Sequence, residues 1–435
     1  MKTSKFQIIF MGVMVLFIIG GVIAFATFKN NNSSTQLPTI TIWGTFPKNV
    51  FDQYVSKINN SLSTPVNINY TQESPSAFEG DFVSALARGA GPDAILIPVD
   101  MLLPNEDKLT PIPYNVLAQR DFINAYIDEA GLYISKNGLL GLPFLVDPLV
   151  MYWNRDLFNA AGIAEPPKYW DQFQALNQKL TVKNQSGTIT QSAVAMGDFT
   201  NVDNAREILG SLLMQSGNPV TAVDTYGSVS STLSPAATAD PTKALDFFTQ
   251  FVNPSSANYS WNRSWPEAKT AFLAGNLGVY FGFASELADL RAKNPNLNFD
   301  VAELPQVRTG GTAATYGRLY GFSLVKTSAN TSAAYTVISS IIQPAFLANL
   351  VSATYLPSVS RTVIAAGSTD PYLTIFNRSA LIAKAWLDVD INQSNQILGN
   401  MVQAVSSGQK SLSQAVSDAG NQYNVLLHQA LPASQ

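Results

Sequence analysis

The sequence predicts an α/β protein of two lobes carried behind a membrane segment, and three observations support that expectation. The chain has 435 residues, 46% of them hydrophobic and 13% charged, which suits about two or three globular units rather than one core. Alternating strand and helix patterns open the exported part and return near residue 300. An apolar run from Phe6 to Phe28 contains no charge. It is long enough to cross a hydrocarbon core of about 30 Å.

That run fixes the expected topology. Lys2 and Lys5 precede it and Lys29 follows, so the positive charge bias places the N-terminus inside and residues 38–435 outside. Ala24-Phe25-Ala26 fits a signal-peptidase site, yet the run exceeds the ~7–15 apolar residues of a cleaved signal. An uncleaved anchor in the cell membrane, with an extracellular or periplasmic domain, is the expectation. The chain has no cysteine, so this domain is expected to rely on a packed core and carries no lipid-modified cysteine. Asn30 to Pro38 reads as a polar spacer.

The elements follow in order. Thr39-Ile-Thr-Ile-Trp43 alternates as a strand, and Val50, Phe51, Tyr54, Val55 and Ile58 fall on one helical face. Val66 to Tyr70 alternates again, which completes a βαβ unit. A helix with Phe78, Phe82, Val83 and Leu86 leads to the apolar run Asp93-Ala-Ile-Leu-Ile97, the pattern of a strand covered on both faces. A hairpin is expected around Asn137-Gly138 and a strand over residues 149–153. The second lobe is expected to be helix-rich, with helices from Trp170, over 206–214, 241–252 and 265–273, then a strand over 278–283. Strands over 300–304 and 321–325, helices over 333–342 and 345–351, and two amphipathic C-terminal helices complete the reading.

Composition excludes several functions. The 26 basic and 30 acidic residues are spread thinly, giving a net charge of -4, with no basic run to track a nucleic acid. One histidine and no cysteine exclude a Cys/His nucleophile pair and an ordinary zinc cluster. His428 sits beside Leu426 and Leu427 and reads as structural or solvent-facing. No phosphate-binding loop is present, so an ATP motor would have to be a partner. Asp388-Val-Asp390-Ile-Asn392 begins like a calcium loop but lacks its glycine and its final glutamate, so helix capping is the better reading. No cofactor and no catalytic residue are expected.

Several segments carry a resemblance. Ile42-Trp43-Gly44, Gly91-Pro-Asp93, and Gly141-Leu-Pro-Phe144 followed by Leu149 to Phe158 resemble the extracellular solute-binding proteins of ABC importers, family 1, the maltodextrin-binding type. So do Ala161-Gly162 to Phe173, Ala271 to Val279, Tyr320 to Lys326 and Tyr355-Leu-Pro357. The resemblance implies a periplasmic-binding-protein-like fold of type II, with three crossing segments joining the lobes. It places them at 144–148, 302–306 and 355–358, so that 38–146 with 304–356 form the N-terminal lobe and 147–303 with 357–435 the C-terminal lobe. Residues 1–28 and 29–37 are then anchor and linker.

The resemblance also implies a ligand cleft. Trp43 and Thr45 follow the first strand, Asp100 follows Gly91-Pro-Asp93, and Asp147 stands where sugar binders carry a carboxylate. Phe199, Asn201, Ser285 and Glu286 would face them from the second lobe, with Arg318 and Tyr355 near crossings. Ser285 and Asn395 stand where the maltodextrin binder has tryptophans, so its ligand is not inherited. Asp100 reads equally as a solvated loop residue, Asp147 as a turn former before Pro148, Arg318 as a surface ion pair and Tyr355 as core packing. The implied function is a monomeric receptor that captures a small polar ligand, a sugar or oligosaccharide, and delivers it to an ABC permease with a separate ATPase. A surface sensor module is the alternative. A glycoside hydrolase would need Asp147 paired with Glu286 or Asp390.

Overall fold

A computed structural model describes residues 38–62, 65–225 and 227–430. The expected anchor and linker lie outside the described residues. Among the described residues no single helix is long and apolar enough to cross a membrane.

One ten-stranded sheet runs through both lobes. In chain order its strands are β1 (Ile40–Gly44), β2 (Ile68–Gln72), β3 (Ala94–Pro98), β4 (Leu142–Asn154), β5 (Val182–Lys183), β6 (Ile189–Val194), β7 (Leu277–Phe283), β8 (Phe299–Ala302), β9 (Thr315–Leu324) and β10 (Ala383–Lys384). The order across the sheet is β2-β1-β3-β9-β4-β7-β6-β5, with β8 paired to β4 and β10 to β9. β1 pairs parallel to both β2 and β3, as the opening βαβ pattern requires. Helix α1 (Lys48–Asn59) buries Phe51, Tyr54, Val55 and Ile58 against them, and α2 (Phe78–Ala87) buries Phe78 and Phe82. Every residue of β3 is buried, which explains why its sequence does not alternate.

The buried hydrophobics fall into two clusters. The first draws on residues 40–146 and then on Leu319 through Ala383. The second draws on residues 149–316 and then on Trp386 through Leu427, with Leu103 and Phe376 added. The chain therefore passes between cores within β4 at 147–148, within β9 at 317–318, and beyond β10 at 384–385. Two expected crossings are thereby corrected. Residues 302–306 end β8, which pairs with β4 next to the second core, and Leu304 is buried in that core. Leu356 and Val359 are buried in the first core and Ser358 bridges Leu145, so this segment stays with the first lobe although Tyr355 before it reaches the second core. Pro305 and Pro357 stand in these two segments, but prolines bound many strand ends, and the crossing is set by which core the flanking side chains enter.

The crossings are backed by helices. Helix α3 (Ala205–Gln215) packs on β9, while α4 (Thr331–Ile341) and α5 (Pro344–Thr354) bury Val337, Ile338, Leu347 and Leu350 in the first core. α6 (Pro371–Leu381) covers β4. α7 (Ile391–Ser406) starts on Asp390, whose carboxylate accepts the backbone N–H groups of Asn392 and Gln393, the capping role expected for this run. α8 (Leu412–Ala430) lies against α7 with Gly420 facing the Leu233 carbonyl so closely that a methyl group there would overlap it. Gly420→Ala is expected to destabilise the second lobe by about 1–3 kcal/mol, read as a lower urea midpoint, despite the better helix propensity of alanine.

Candidate functional site

The floor between the lobes is made where β4 and β9 run side by side. Their register sets Arg318 opposite Asp147, and the period of two puts Tyr316, Arg318 and Tyr320 on one face of β9. Ser285 approaches from the second lobe on the turn after β7, donating its backbone N–H to Asp147 Oδ1 at 3.0 Å and its hydroxyl to Oδ2 at 2.6 Å. Asp147 is only 2% exposed. Burial pushes its carboxyl up to about 6, against the pull of Arg318 and of the two Ser285 bonds. The Arg318 guanidinium lies over the Phe283 ring at 4.0 Å, a cation–π contact across the hinge. Burial alone would lower its pKa, but the attraction of Tyr320, Asp147 and Tyr316 more than offsets that.

These groups open into a cavity of about 400 Å³. Asp147, Ser285, Arg318 and Tyr320 line one part, and Phe46, Lys57 and Leu356 belong to the part formed by the first lobe. A lining that mixes polar side chains, Gln53, Asn349 and Thr354 among them, with aromatic and aliphatic ones such as Tyr54 and Leu350 suits a small polar ligand with apolar faces. A second interlobe cavity, about 930 Å³, lies between residues 103–111 of the first lobe and Val229 and His428 of the second.

The remaining expected residues divide sharply. Asp100 is buried and accepts the Tyr316 hydroxyl at 3.1 Å through Oδ2, while Oδ1 has no partner. Burial raises its pKa, opposed by Arg206 and Arg318. It is thus neither solvated nor at the cavity wall, but a first-lobe carboxylate meeting a Tyr316–Arg206 pair. Thr45 donates its backbone N–H to the Leu96 carbonyl, and its buried hydroxyl has no partner. Trp43 packs on the first core and lines no described cavity.

Asn201 is a loop lock rather than a cleft group. Its amide donates to the carbonyls of Asn262 and Trp265 and accepts from the Trp261 indole, using its polar capacity inside the lobe. Glu286 likewise braces the turn that carries Ser285: it accepts the Phe283 N–H and the Tyr280 hydroxyl, each at 2.8 Å, and pairs with Lys269 at 2.9 Å. Phe199 and Asn395 do come together, but in a separate cavity of about 200 Å³ on the second lobe, where Phe199 meets Phe248 edge-on. Tyr355 ends α5 with a φ of 58° and packs on the second core, so core packing is its role here. The carboxylates that a hydrolase would pair with Asp147 are both committed, Glu286 to its turn and Asp390 to the α7 cap.

The structure therefore joins Asp147, Ser285 and Arg318 from the expected set, and adds Phe46, Lys57 and Tyr320. Tyr320 carried a signal: it lies two residues from Arg318 in one strand, but the expected strand began only at Gly321. Lys57 and Phe46 carried none, since their place depends on how α1 sits over the hinge.

Two cores, long shared crossing strands and an interlobe cavity lined by both polar and apolar groups describe a hinged ligand receptor. The sequence profile of bacterial extracellular solute-binding proteins matches residues 42–345, and the chain belongs to that family of binding proteins, not to a family of enzymes. Comparison with curated proteins finds no match. Among solved structures, a cyclic α-maltosyl-1,6-maltose binding protein from Arthrobacter globiformis is similar at TM-score 0.72 and 18% identity, over 90% of this chain and 100% of that one. A cyclo/maltodextrin-binding protein with maltotetraose gives TM-score 0.72 at 15% identity, over 91% and 99%. The mannotriose-bound protein CpMnBP1 gives TM-score 0.66 at 21% identity, over 88% and 99%.

Proposed function

We propose that this protein is the sugar-capturing receptor of an ABC-type importer, held at the outer face of the membrane by its N-terminal segment. The observation that carries this reading is the hinge cluster of Asp147, Ser285, Arg318 and Tyr320 beside the apolar wall of Phe46 and Leu356. A sugar ring offers hydroxyls around its edge and apolar C–H faces, so it finds partners for both in such a cavity. Three structurally similar proteins bound to, or named for, saccharides support the ligand class. Ligand contacts to Ser285 on one lobe and to Tyr320 and Phe46 on the other favour the closed arrangement, which is the state a permease can recognise. Asp147 and Arg318 act as binding groups, not as catalysts.

A thermal-shift screen with neutral and acidic mono- and oligosaccharides tests the reading. A ligand present at about 100 times its Kd adds about 2.7 kcal/mol to the folded state. A rise in melting temperature with at least one saccharide, without its hydrolysis, is expected. No shift with any saccharide would remove sugar binding from the reading.

A further inference from the structure

The charged groups that line the hinge cavity leave a positive excess, two cations against one carboxylate. Its charged lining residues are Lys57, Asp147 and Arg318. Asp147 faces Ser285, which donates to both of its oxygens, one bond each. A carboxylate has about four lone-pair sites, so roughly half of its accepting capacity is used inside the protein. The two cations are placed differently. Lys57 is exposed on α1 at the cavity rim. The Arg318 guanidinium carbon lies 4.0 Å from the centre of the Phe283 ring, and a guanidinium carries five N–H donors, more than this contact and the Tyr320 hydroxyl take up. Tyr320, half-buried beside it, adds a hydroxyl; burial pushes that phenol up to about 12, with Arg318 pulling it down, so it remains a donor at neutral pH. Gln53, Ser61, Asn349 and Thr354 also line the cavity and can either donate or accept, so the feature that selects a ligand is the surplus positive charge. A neutral sugar leaves that positive charge without a counter-charge.

The geometry points to an acidic saccharide, one containing a uronic acid or a similar sugar carboxylate, as the ligand of this cleft. The inference rests on the sugar-receptor reading above. The ligand carboxylate would lie on Arg318 in the two-bond arrangement that guanidinium groups favour, with Lys57 adding attraction from the rim. A hydroxyl on the neighbouring ring carbon would reach the unused lone pairs of Asp147, whose position directly opposite Arg318 places an acceptor about 5 Å from the cation's strand position. A donor for the carboxylate beside an acceptor for a hydroxyl matches the order of groups on a uronate.

The test is calorimetric titration of the full chain in detergent with digalacturonate, a glucuronate disaccharide and the methyl ester of each. The ester keeps the ring and its hydroxyls and removes only the charge. The acids are expected to bind at least about tenfold more tightly than their esters, and raising the salt concentration should narrow that gap. Arg318→Gln should abolish the preference. Lys57→Gln, at an exposed position that can change without disturbing the fold, should reduce it several-fold. Esters or neutral sugars that bind as well as the acids would overturn the acidic class while leaving the sugar receptor intact, as would an unaltered preference in both variants. If no saccharide of either kind binds, the receptor reading itself fails and takes this inference with it.

Discussion

Asp388→Ala is expected to destabilise the second lobe by about 3–5 kcal/mol, because it strands a buried guanidinium. Asp388 is fully buried, and its Oδ2 accepts Arg206 Nη2 at 2.7 Å, the Ser394 hydroxyl at 2.6 Å and the Tyr423 hydroxyl at 3.0 Å. Arg206 is 3% exposed, stacks on Trp386 at 4.4 Å and donates to the Tyr316 hydroxyl at 3.3 Å. Tyr316 in turn donates to Asp100 of the first lobe. Removing Asp388 thus leaves Arg206 with Glu207, at 3.3 Å, as its remaining carboxylate partner. Urea unfolding followed by tryptophan fluorescence would read the loss, since five of the six tryptophans, Trp386 among them, lie in the second lobe. The double variant Arg206→Met with Asp388→Leu should recover most of it, since replacing both members of a buried pair costs far less than removing one. A change below about 1 kcal/mol for Asp388→Ala would mean that water reaches the pair.

This network shows what a sequence conceals. Asp388 and Asp390 looked like members of one loop, yet two residues apart they do different work: Asp390 caps α7, and Asp388 points inward to a partner 182 positions away. Periodicity found α1, α2, β3 and the C-terminal helices because those patterns are local, set by which face each element buries. The crossings were harder to read. Residues 315–324 form one long strand whose first part, Thr315 and Tyr316, joins the second lobe and whose last part, Phe322 and Leu324, enters the first core. No local pattern records that change of partner. At the site, Asp147, Ser285 and Arg318 were legible through the family resemblance, whereas Asn201 and Glu286, polar residues at the right strand ends, proved to hold their own loops together. Polar identity at a strand end marks a place near the cleft; whether the group is free to meet ligand depends on neighbours distant in sequence.

The Asp147 carboxyl gives the cleft a pH dependence with a defined sign. Burial raises its pKa from the usual 3.8 to about 6, so the folded state favours the neutral form. Its contribution to stability is fully present below about pH 4 and is lost as pH rises through 6, on the order of 3 kcal/mol in all. Asp147→Asn stays neutral throughout. The variant is therefore expected to match or exceed the wild type in stability at pH 7 and to lack the fall between pH 4 and 7, measured by urea midpoints without ligand. Binding should move the other way. A sugar hydroxyl donating to Asp147 favours the ionised carboxylate, so wild-type affinity for a neutral saccharide should rise between pH 5 and 7. The Asn variant should show no such rise and should bind about 10- to 150-fold more weakly at pH 7, the loss of one hydrogen bond to a charged group. If Asp147 served only as a turn former before Pro148, asparagine would replace it with unchanged affinity, because it favours the same turn geometry. Equal affinity in the two proteins at pH 7, with the stability difference still present, would leave Asp147 as a hinge residue and remove it from the ligand site.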